Sequence, residues 1–360
     1  MDFSRYGAPS KEWLEFIARD PAAAKDGFSG NDILEASQLR QAVNTNREVA
    51  SEKLMADSGL KDRVDDSTLS IPSRASHTIP LRRYSPVVQH GQRQDPRQGL
   101  IYFHGGGFLF GSEKSDDYLC ANMADSLGVV VLSVIYRHTP EWSHPAPHED
   151  TEDAMAYIER SLPDLGIDAT KGLSVLGISA GAGLAAAAVL RDLRGQRLIQ
   201  GVTLSIPWLI HVDNYPFNKF TSSDKTAQMQ CRDAPVIPWP RLKMFSDMLR
   251  ADAADPLLNT ALVPDVQLSN WPKTAFVVAG MDPLRDDGLL FSRRLESLGI
   301  PTGVYVFPGL PHGFRRWQDL PATKVFDARM LDSIRWTLGL GGAEGNEIEG
   351  WHEYKESYVS

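Results

Sequence analysis

The chain has 360 residues, of which 42% are apolar and 23% charged, so it can bury a sizeable core in one large or two ordinary domains. The net charge of −9 argues against a nucleic-acid partner, because phosphate binding needs a basic patch and no lysine or arginine cluster supplies one. The two cysteines, Cys120 and Cys231, fit neither a disulfide framework nor a metal-binding spacing, and we expect reduced, partly buried thiols.

The amino-terminal sequence lacks the basic segment followed by an apolar segment that is typical of a secretory signal. No apolar run approaches the roughly 18 residues that a helix needs to cross a bilayer. We therefore expect a cytoplasmic protein with no membrane span.

Residues 1–75 are predicted to form an N-terminal helical cap segment. Residues 10–22 and about 29–58 have helical character, and the second stretch combines an imperfect apolar stripe with a polar face, which is typical of a surface or lid helix. Residues 59–76 are polar and are expected to be irregular, and strand-like sequence begins near Thr78.

From Gly99 onward, apolar runs without polar alternation are interleaved with helical segments. The six runs are Leu100–Phe103, Val129–Tyr136, Leu173–Leu176, Val202–Ile206, Ala275–Ala279 and Val304–Phe307. The helical segments are 115–127, 149–161, 180–194, 284–298 and 322–337. Such runs are typical of strands buried on both faces, so the order predicts an α/β fold with a mostly parallel central sheet.

One insertion interrupts this alternation. The segment 208–272, about 65 residues rich in aromatic side chains, is too long for a plain connection. We interpret it as a cap insertion over the carboxyl ends of the strands, with a separately packed subdomain as the alternative. Residues 76–207 and 273–340 would then form the core, and the Gly/Glu-rich residues 341–360 a flexible tail.

The segment Gly177–Gly181 reads Gly-Ile-Ser-Ala-Gly between an apolar run and an alanine-rich helical segment. A serine in this context sits on a sharp strand-to-helix turn, which lifts its hydroxyl above the sheet. The following amide, that of Ala180, would lie at a helix N-terminus, where the dipole favours a developing anion. Any Gly/Ser-rich turn can match the motif, but the flanking strand and helix favour Ser179 as a nucleophile.

A second motif, His104–Gly107, ends the first apolar run with three glycines. Glycines at this point let backbone amides turn towards the carbonyl oxygen of an ester, as in an oxyanion hole. A phosphate loop would need a following Lys-Ser/Thr, or a spaced third glycine with a later acidic residue, and the sequence has neither.

A serine nucleophile needs a general base and a residue that orients it. His312 follows the last apolar run, in a loop from which an imidazole can reach over the sheet, and we predict it as the base. His144 and His148 lie in a proline-rich loop that could border the pocket, but neither follows the last strand. The histidines interpreted as surface or structural residues are His77, His90, His138, His144, His148, His211 and His352.

The acid candidates follow the run Ala275–Ala279. Asp282 is the first acidic residue after this run, and we predict it as the orienting acid, with Asp286 as the alternative. Asp286 and Asp287 fall one helical turn further on, where they are expected to cap the helix or pair with Arg285.

These motifs together resemble the hormone-sensitive-lipase-like family of α/β-hydrolase-fold esterases over about residues 75–340, in the chain order serine, aspartate, histidine. The matching segments are His104–Phe108 (family HGGGF), Tyr136–Glu141 (YRLAPE), Gly177–Gly181 (G-x-S-A-G), Asp282–Asp286 (DPLRD) and His312–Phe314 (HGF). The sequence departs from the family pattern at Ile178, where an acidic residue is usual, and at His138-Thr139, which replaces Leu-Ala.

The resemblance implies a mostly parallel eight-stranded sheet flanked by helices, with a helical cap. It implies Ser179, Asp282 and His312 as the catalytic residues. Gly106, Gly107 and Ala180 would be the oxyanion donors, and we expect Phe108, Trp208 and Leu209 to bind substrate. We expect no metal and no organic cofactor. Pairing of edge strands into a homodimer is common in the family, so the resemblance also implies a homodimer.

The implied activity is that of a serine hydrolase that cleaves carboxylic esters of small to medium, fairly apolar substrates. The chain also resembles fungal esterases of secondary metabolism. The alternatives are acyl transfer, lactone or thioester chemistry on a polyketide-type metabolite with the same residues. A dehydratase of this fold would have threonine as the nucleophile, and a small-molecule receptor of this fold would lack the histidine.

Overall fold

The computed structural model describes residues 1–24, 36–74, 76–88, 95–341 and 348–356. The strands are β1 (Val64–Pro72), β2 (Thr78–Pro86), β3 (Gly99–Phe103), β4 (Val130–Val134), β5 (Leu173–Ile178), β6 (Ile199–Ser205), β7 (Lys273–Met281), β8 (Thr302–Pro311) and β9 (Gly350–Glu353). The α-helices are α1 (Lys11–Arg19), α2 (Ala36–Ser58), α3 (Asp117–Leu127), α4 (Ala146–Ser161), α5 (Ala180–Asp192), α6 (Ala227–Gln230), α7 (Trp239–Leu249), α8 (Arg285–Ser297) and α9 (Pro321–Leu338).

Within these residues, the strands form one sheet in the order β1-β2-β4-β3-β5-β6-β7-β8-β9. The pairs β1–β2 and β2–β4 are antiparallel, and all the other pairs are parallel. The mostly parallel α/β sheet predicted from the apolar runs is confirmed. It has nine strands in the described residues, where we expected eight.

The sheet begins earlier than predicted. Residues 59–76 were expected to be irregular and part of the cap segment, but β1 pairs with β2 from Val64 to Pro72. The strand lies at the sheet edge, and only Val64 and Ile71 in it are buried. A solvated edge strand carries polar residues, so it produces no apolar run that sequence analysis can recognise.

The predicted flexible tail contains the other edge strand, β9, which pairs in parallel with β8. The ring of Trp351 stacks on Phe3 with 6.1 Å between centroids, and the Arg293 guanidinium lies 3.9 Å from the centre of the Trp351 ring. One tryptophan thus anchors a segment whose Gly/Glu-rich composition predicted flexibility. Residues 342–347 and 357–360 of this tail lie outside the described residues.

Helices cover both faces of the sheet and bury a core on each. Ile101 and Phe103 of β3 belong to the core on the face of α4, α5 and α8. Leu100 and Tyr102 of the same strand belong to the core on the face of α3 and α9. Because successive strand residues point to opposite faces, a continuous apolar run is what a strand between two helical layers requires.

Two further expectations concern the chain as a whole. Cys120 and Cys231 are both free and buried, as the absence of a disulfide or metal pattern predicted. Among the helices of the described segments, none combines the length and the apolar character needed to cross a membrane. The first part of the predicted helix 29–58 lies outside the described residues, and α2 covers the rest.

Candidate active site

Ser179 lies on a sharp turn between β5 and α5. Its backbone has φ 55° and ψ −121°, a conformation that costs energy for a residue with a β-carbon. The neighbouring chain passes so close that a β-carbon on Gly177 would lie 2.3 Å from the Gly181 oxygen, and one on Gly181 would lie 2.2 Å from the Phe103 oxygen. The two glycines of the motif are therefore required by the close approach of backbone on both sides of the serine.

His312 joins Ser179 to Asp282. Its Nε2 lies 3.0 Å from the Ser179 hydroxyl oxygen, and its Nδ1 lies 2.7 Å from Oδ2 of Asp282. The three residues follow β8, β5 and β7, and parallel strands bring their carboxyl ends to one edge of the sheet. With a proton on Nδ1 donated to Asp282, Nε2 is free to accept the serine proton.

Asp282 is fixed by a second contact, because its Oδ1 accepts a hydrogen bond from the Leu284 amide at 2.8 Å. The alternative acid, Asp286, is used elsewhere: it pairs with Arg285 at 2.8 Å and accepts a hydrogen bond from the Tyr215 hydroxyl at 2.7 Å. Asp287 accepts hydrogen bonds from two amides of the segment after β6. The structure brings Asp282 to His312 and directs the other two carboxylates away.

The glycine-rich segment after β3, residues 104–111, runs beside Ser179. A β-carbon on Gly105 would lie 3.3 Å from the β-carbon of Ser179, and Gly106 and Gly107 have φ values of 144° and 61°. Within the described residues, the amides of Gly106, Gly107 and Ala180 donate to no protein acceptor. Three unpaired donors therefore lie next to the serine, and Ala180 begins α5, where the helix dipole adds positive potential.

The three residues expected to bind substrate line one cavity beside α5. Phe108, Trp208 and Leu209 form part of its wall, and the rings of Phe108 and Trp208 lie 5.6 Å apart. The centre of a water molecule can occupy about 10 Å³ of this cavity, so the cavity has room for about one water. The Trp208 amide donates to the Ser179 carbonyl at 3.1 Å, so this wall is attached to the serine turn.

Two segments outside the sheet reach the glycine-rich segment. Phe245 of α7 lies so close to Gly107 that a β-carbon there would meet its ring at 2.4 Å. From α2, Asn44 binds both backbone groups of Gly111, at 2.8 and 2.9 Å. Neither contact was predicted. For the contact of Asn44 with Gly111, the sequence signal was the polar face of the helix predicted over 29–58.

Two of the other described histidines pair with polar side chains, and two more are deeply buried. His144 pairs with Asp255 at 2.9 Å, and His211 lies 2.9 Å from the Ser246 hydroxyl. His148 lines the same cavity as Phe108 and Trp208, and burial lowers its pKa to about 3. Burial also lowers the pKa of His104, the first residue of the glycine motif, to about 4.

His138 is half-buried, and desolvation of its ring holds its pKa well below the ordinary value. His90 lies outside the described residues. In the part of the chain that the structure describes, no cluster of three or more His, Cys, Asp or Glu residues could hold a metal ion.

Comparisons with known proteins agree with this architecture. Residues 100–316 match the model of a family described as alpha/beta hydrolase fold. The chain is 32% identical over 253 residues to ethyl acetate hydrolase of Pseudomonas putida. This alignment covers 69% of the present chain and 76% of the hydrolase. The chain is 31% identical over 238 residues to versiconal hemiacetal acetate esterase of Dothistroma septosporum, at 65% and 72% coverage. The crystal structure of vibralactone cyclase superposes with a TM-score of 0.83 at 25% identity, covering 93% of this chain and 96% of that one.

Proposed function

Since the chain belongs to the hormone-sensitive-lipase-like alpha/beta hydrolase family, we propose that it hydrolyses carboxylic esters through an acyl-enzyme on Ser179. The observation that carries the proposal is the hydrogen-bonded row from Asp282 through His312 to the Ser179 hydroxyl, at 2.7 and 3.0 Å. The reaction is acyl transfer in two halves, with the alcohol leaving first and water entering second.

In the first half, the Ser179 oxygen attacks the ester carbonyl carbon while Nε2 of His312 takes the hydroxyl proton. Asp282 stabilises the imidazolium that forms and keeps the ring in its orientation. The amides of Gly106, Gly107 and Ala180 would bind the oxyanion, and each such donor lowers the barrier by roughly 3–4 kcal/mol. His312 then gives its proton to the departing alkoxide, which leaves as the alcohol.

In the second half, a water molecule takes the place of the alcohol. His312 accepts a proton from this water as its oxygen attacks the acyl carbonyl, and the same three amides bind the second oxyanion. The acid is released when the bond to Ser179 breaks and the proton returns to the serine oxygen. Groups of this chain and one water supply every proton transfer.

We propose esters of small to medium, fairly apolar substrates, with a short acyl group. The cavity walled by Phe108, Trp208 and Leu209 is apolar and has room for about one water, which favours an acetyl-sized group. The names of two relatives, an ethyl acetate hydrolase and a versiconal hemiacetal acetate esterase, support acetate esters. A role in secondary metabolism, a cytoplasmic location and a homodimer remain proposals.

We also propose that α2 and residues 208–272 together form the cap. The contacts of Asn44 with Gly111 and of Phe245 with Gly107 support a cover over the glycine-rich segment. An insertion that reaches this segment can exclude water from the ester carbonyl, which strengthens the electrostatic contribution of the three amides.

The proposal is tested with Ser179→Ala and p-nitrophenyl acetate and butyrate. We expect kcat to fall about 10⁵- to 10⁶-fold, because the nucleophile is lost while binding remains. The control is Ser292→Ala, which removes a buried hydroxyl that donates within α8. An organophosphonate should label the wild-type chain at Ser179 and leave Ser179→Ala unlabelled. Normal turnover by a correctly folded Ser179→Ala protein would refute the assignment.

A further inference from the structure

Arg47, on the N-terminal helix α2, contacts the backbone of the glycine-rich segment. Its Nη1 donates to the Gly105 carbonyl oxygen at 3.2 Å. This oxygen belongs to the same peptide group as the Gly106 amide, and in a planar trans peptide the C=O and the N–H point in opposite directions. A donor that fixes the direction of the Gly105 oxygen therefore also fixes the direction of the Gly106 N–H.

The guanidinium of Arg47 is itself held in place. Its Nη2 donates to both oxygens of Asp116, at 3.0 and 3.1 Å, and Asp116 accepts another hydrogen bond from the Tyr102 hydroxyl at 2.8 Å. The Arg47 side chain is 29% exposed and that of Asp116 is 17% exposed, so solvent screens this pair only partly. A cation that donates to a peptide oxygen also polarises the peptide, which makes its N–H a stronger donor.

The attachment of α2 to the glycine-rich segment and to α3 is mainly polar. Asn44 binds the backbone of Gly111, and the Ser51 hydroxyl accepts a hydrogen bond from the Tyr118 amide at 2.9 Å. Asn44, Arg47 and Ser51 are spaced by three and four residues, so they share one face of the helix. Only Ala36, Ser51 and Met55 of α2 are buried. The helix thus contributes directed hydrogen bonds to backbone groups and little apolar burial.

We propose that Arg47 is a positioning residue that aims and polarises the Gly106 amide towards the oxyanion of the reaction. The proposal rests on the proposed function and adds to it a role for the N-terminal segment, which contributes to transition-state binding as well as to the cover of the site. Arg47 would act mainly on kcat, because the hydrogen bond from the Gly106 amide is strongest when negative charge develops on the substrate oxygen.

The main test compares Arg47→Met with Arg40→Met, using p-nitrophenyl acetate. Arg40 lies on the same helix and makes a comparable anchor, donating to the Thr139 oxygen and pairing with Glu141, but it does not contact the glycine-rich segment. We expect Arg47→Met to lower kcat about 10- to 100-fold with KM changed less than about twofold, since loss of a whole oxyanion donor costs about 10²–10³. Arg40→Met should keep kcat within about threefold.

A second readout separates aiming from general stability. A trifluoromethyl ketone forms an anionic adduct on the serine, so its affinity for Arg47→Met should fall by the same factor as kcat/KM. The affinity for a neutral product alcohol should not change. A purely structural role would lower the melting temperature, yet leave both kcat and ketone affinity intact well below that temperature.

Arg47→Lys keeps the charge but has one nitrogen in place of the two that bind Gly105 and Asp116 separately, and it is expected to lose about 5- to 20-fold in kcat. It decides the question if Arg47→Met does not fold. Full kcat in either folded variant would overturn the proposal, as would an equal loss in Arg40→Met. If Ser179→Ala stays active, the proposed function itself fails, whatever the Arg47 variants do.

Discussion

The Tyr136 hydroxyl donates a hydrogen bond to the carbonyl oxygen of His104 at 2.8 Å, and the two rings stack with centroids 4.3 Å apart. Tyr136 comes just after β4 and His104 just after β3, so the contact joins the ends of two neighbouring strands. It holds the peptide that starts the glycine-rich segment, directly before the Gly105 carbonyl that Arg47 binds. Tyr136 is the first residue of the segment that resembles the family's YRLAPE motif, and this hydrogen bond is its contact with the glycine-rich segment.

We predict that Tyr136→Phe destabilises the protein and slows catalysis. It leaves the buried His104 oxygen without its hydroxyl donor, which should lower the unfolding free energy by about 1–3 kcal/mol. Less restraint on the segment should lower kcat about 3- to 10-fold. Urea denaturation and ester kinetics measure the two effects. Tyr84→Phe removes another buried hydroxyl, one that bonds Asp117, and should affect stability alone. Unchanged kcat in Tyr136→Phe would contradict this role.

Asp282→Asn should lower kcat by about 10³- to 10⁴-fold. The amide is close in size to the carboxylate, but it favours the imidazole tautomer with the proton on Nε2, which cannot accept the serine proton. Activity against p-nitrophenyl acetate over a range of pH measures the loss, and circular dichroism checks the fold.

Asp286→Asn is the matched control, since Asp286 was the alternative acid. This carboxylate is paired with the buried Arg285 and accepts a bond from Tyr215. Its replacement should cost about 3–5 kcal/mol of unfolding free energy, because Arg285 loses its charged partner. The kcat of the remaining folded protein should stay within about threefold of wild type. If the two variants exchanged these behaviours, the assignment of the acid would be wrong.

The parallel strands and the three residues that follow them could be predicted from patterns in the sequence. Parallel strands that are buried on both faces appear as apolar runs, so β5, β7 and β8 could be located and the residues after them brought to one edge. The predicted runs stop at Leu176, Ala279 and Phe307, two to four residues before the strands end. Asp282 could be preferred to Asp286 because it comes first after its strand, and Ser179 could be placed by its flanking glycines. These are local signals that one chain carries by itself.

The features that sequence analysis missed depend on contacts between distant segments. The edge strand β1 has a solvated face and no apolar run, while β9 is anchored by Trp351 against residues far away in the chain. Arg47 was not singled out in the sequence, because it lies in a stretch that carries several other polar residues. Its contact with Gly105, 58 positions away, follows from the packing of α2 beside α3, which no spacing within the helix encodes.

Leu209→Ala should shift the preference of the enzyme towards longer acyl chains. Leu209 is buried in the wall of the small cavity, and its truncation adds room for several methylene groups. We expect the ratio of kcat/KM for p-nitrophenyl hexanoate to that for acetate to rise about tenfold. Leu268→Ala shortens a buried leucine outside this cavity and should leave the ratio unchanged. An equal shift in both variants would argue against this cavity as the acyl site.

Acid should destabilise the protein through its buried histidines. Burial lowers the pKa of His148 from 6.5 to about 3 and that of His104 to about 4, and it also lowers the pKa of His138. Below pH 6.5 these histidine rings bind protons in the unfolded chain but stay neutral in the folded protein. Stability is therefore complete above that pH and is lost as the pH falls towards the folded values. Each ring contributes about 1.4 kcal/mol per pH unit to this loss.

His148→Gln should accordingly flatten the fall in unfolding free energy between pH 6 and pH 4 by about 1.4 kcal/mol per pH unit, whatever it does to stability at pH 8. Urea denaturation at half-unit intervals of pH measures this slope. Leu257→Val alters the same cavity without removing a titrating group, so it should lower stability by a similar amount at every pH. An unchanged slope in His148→Gln would mean that the folded protein already carries a proton on this ring in mild acid, contrary to its burial.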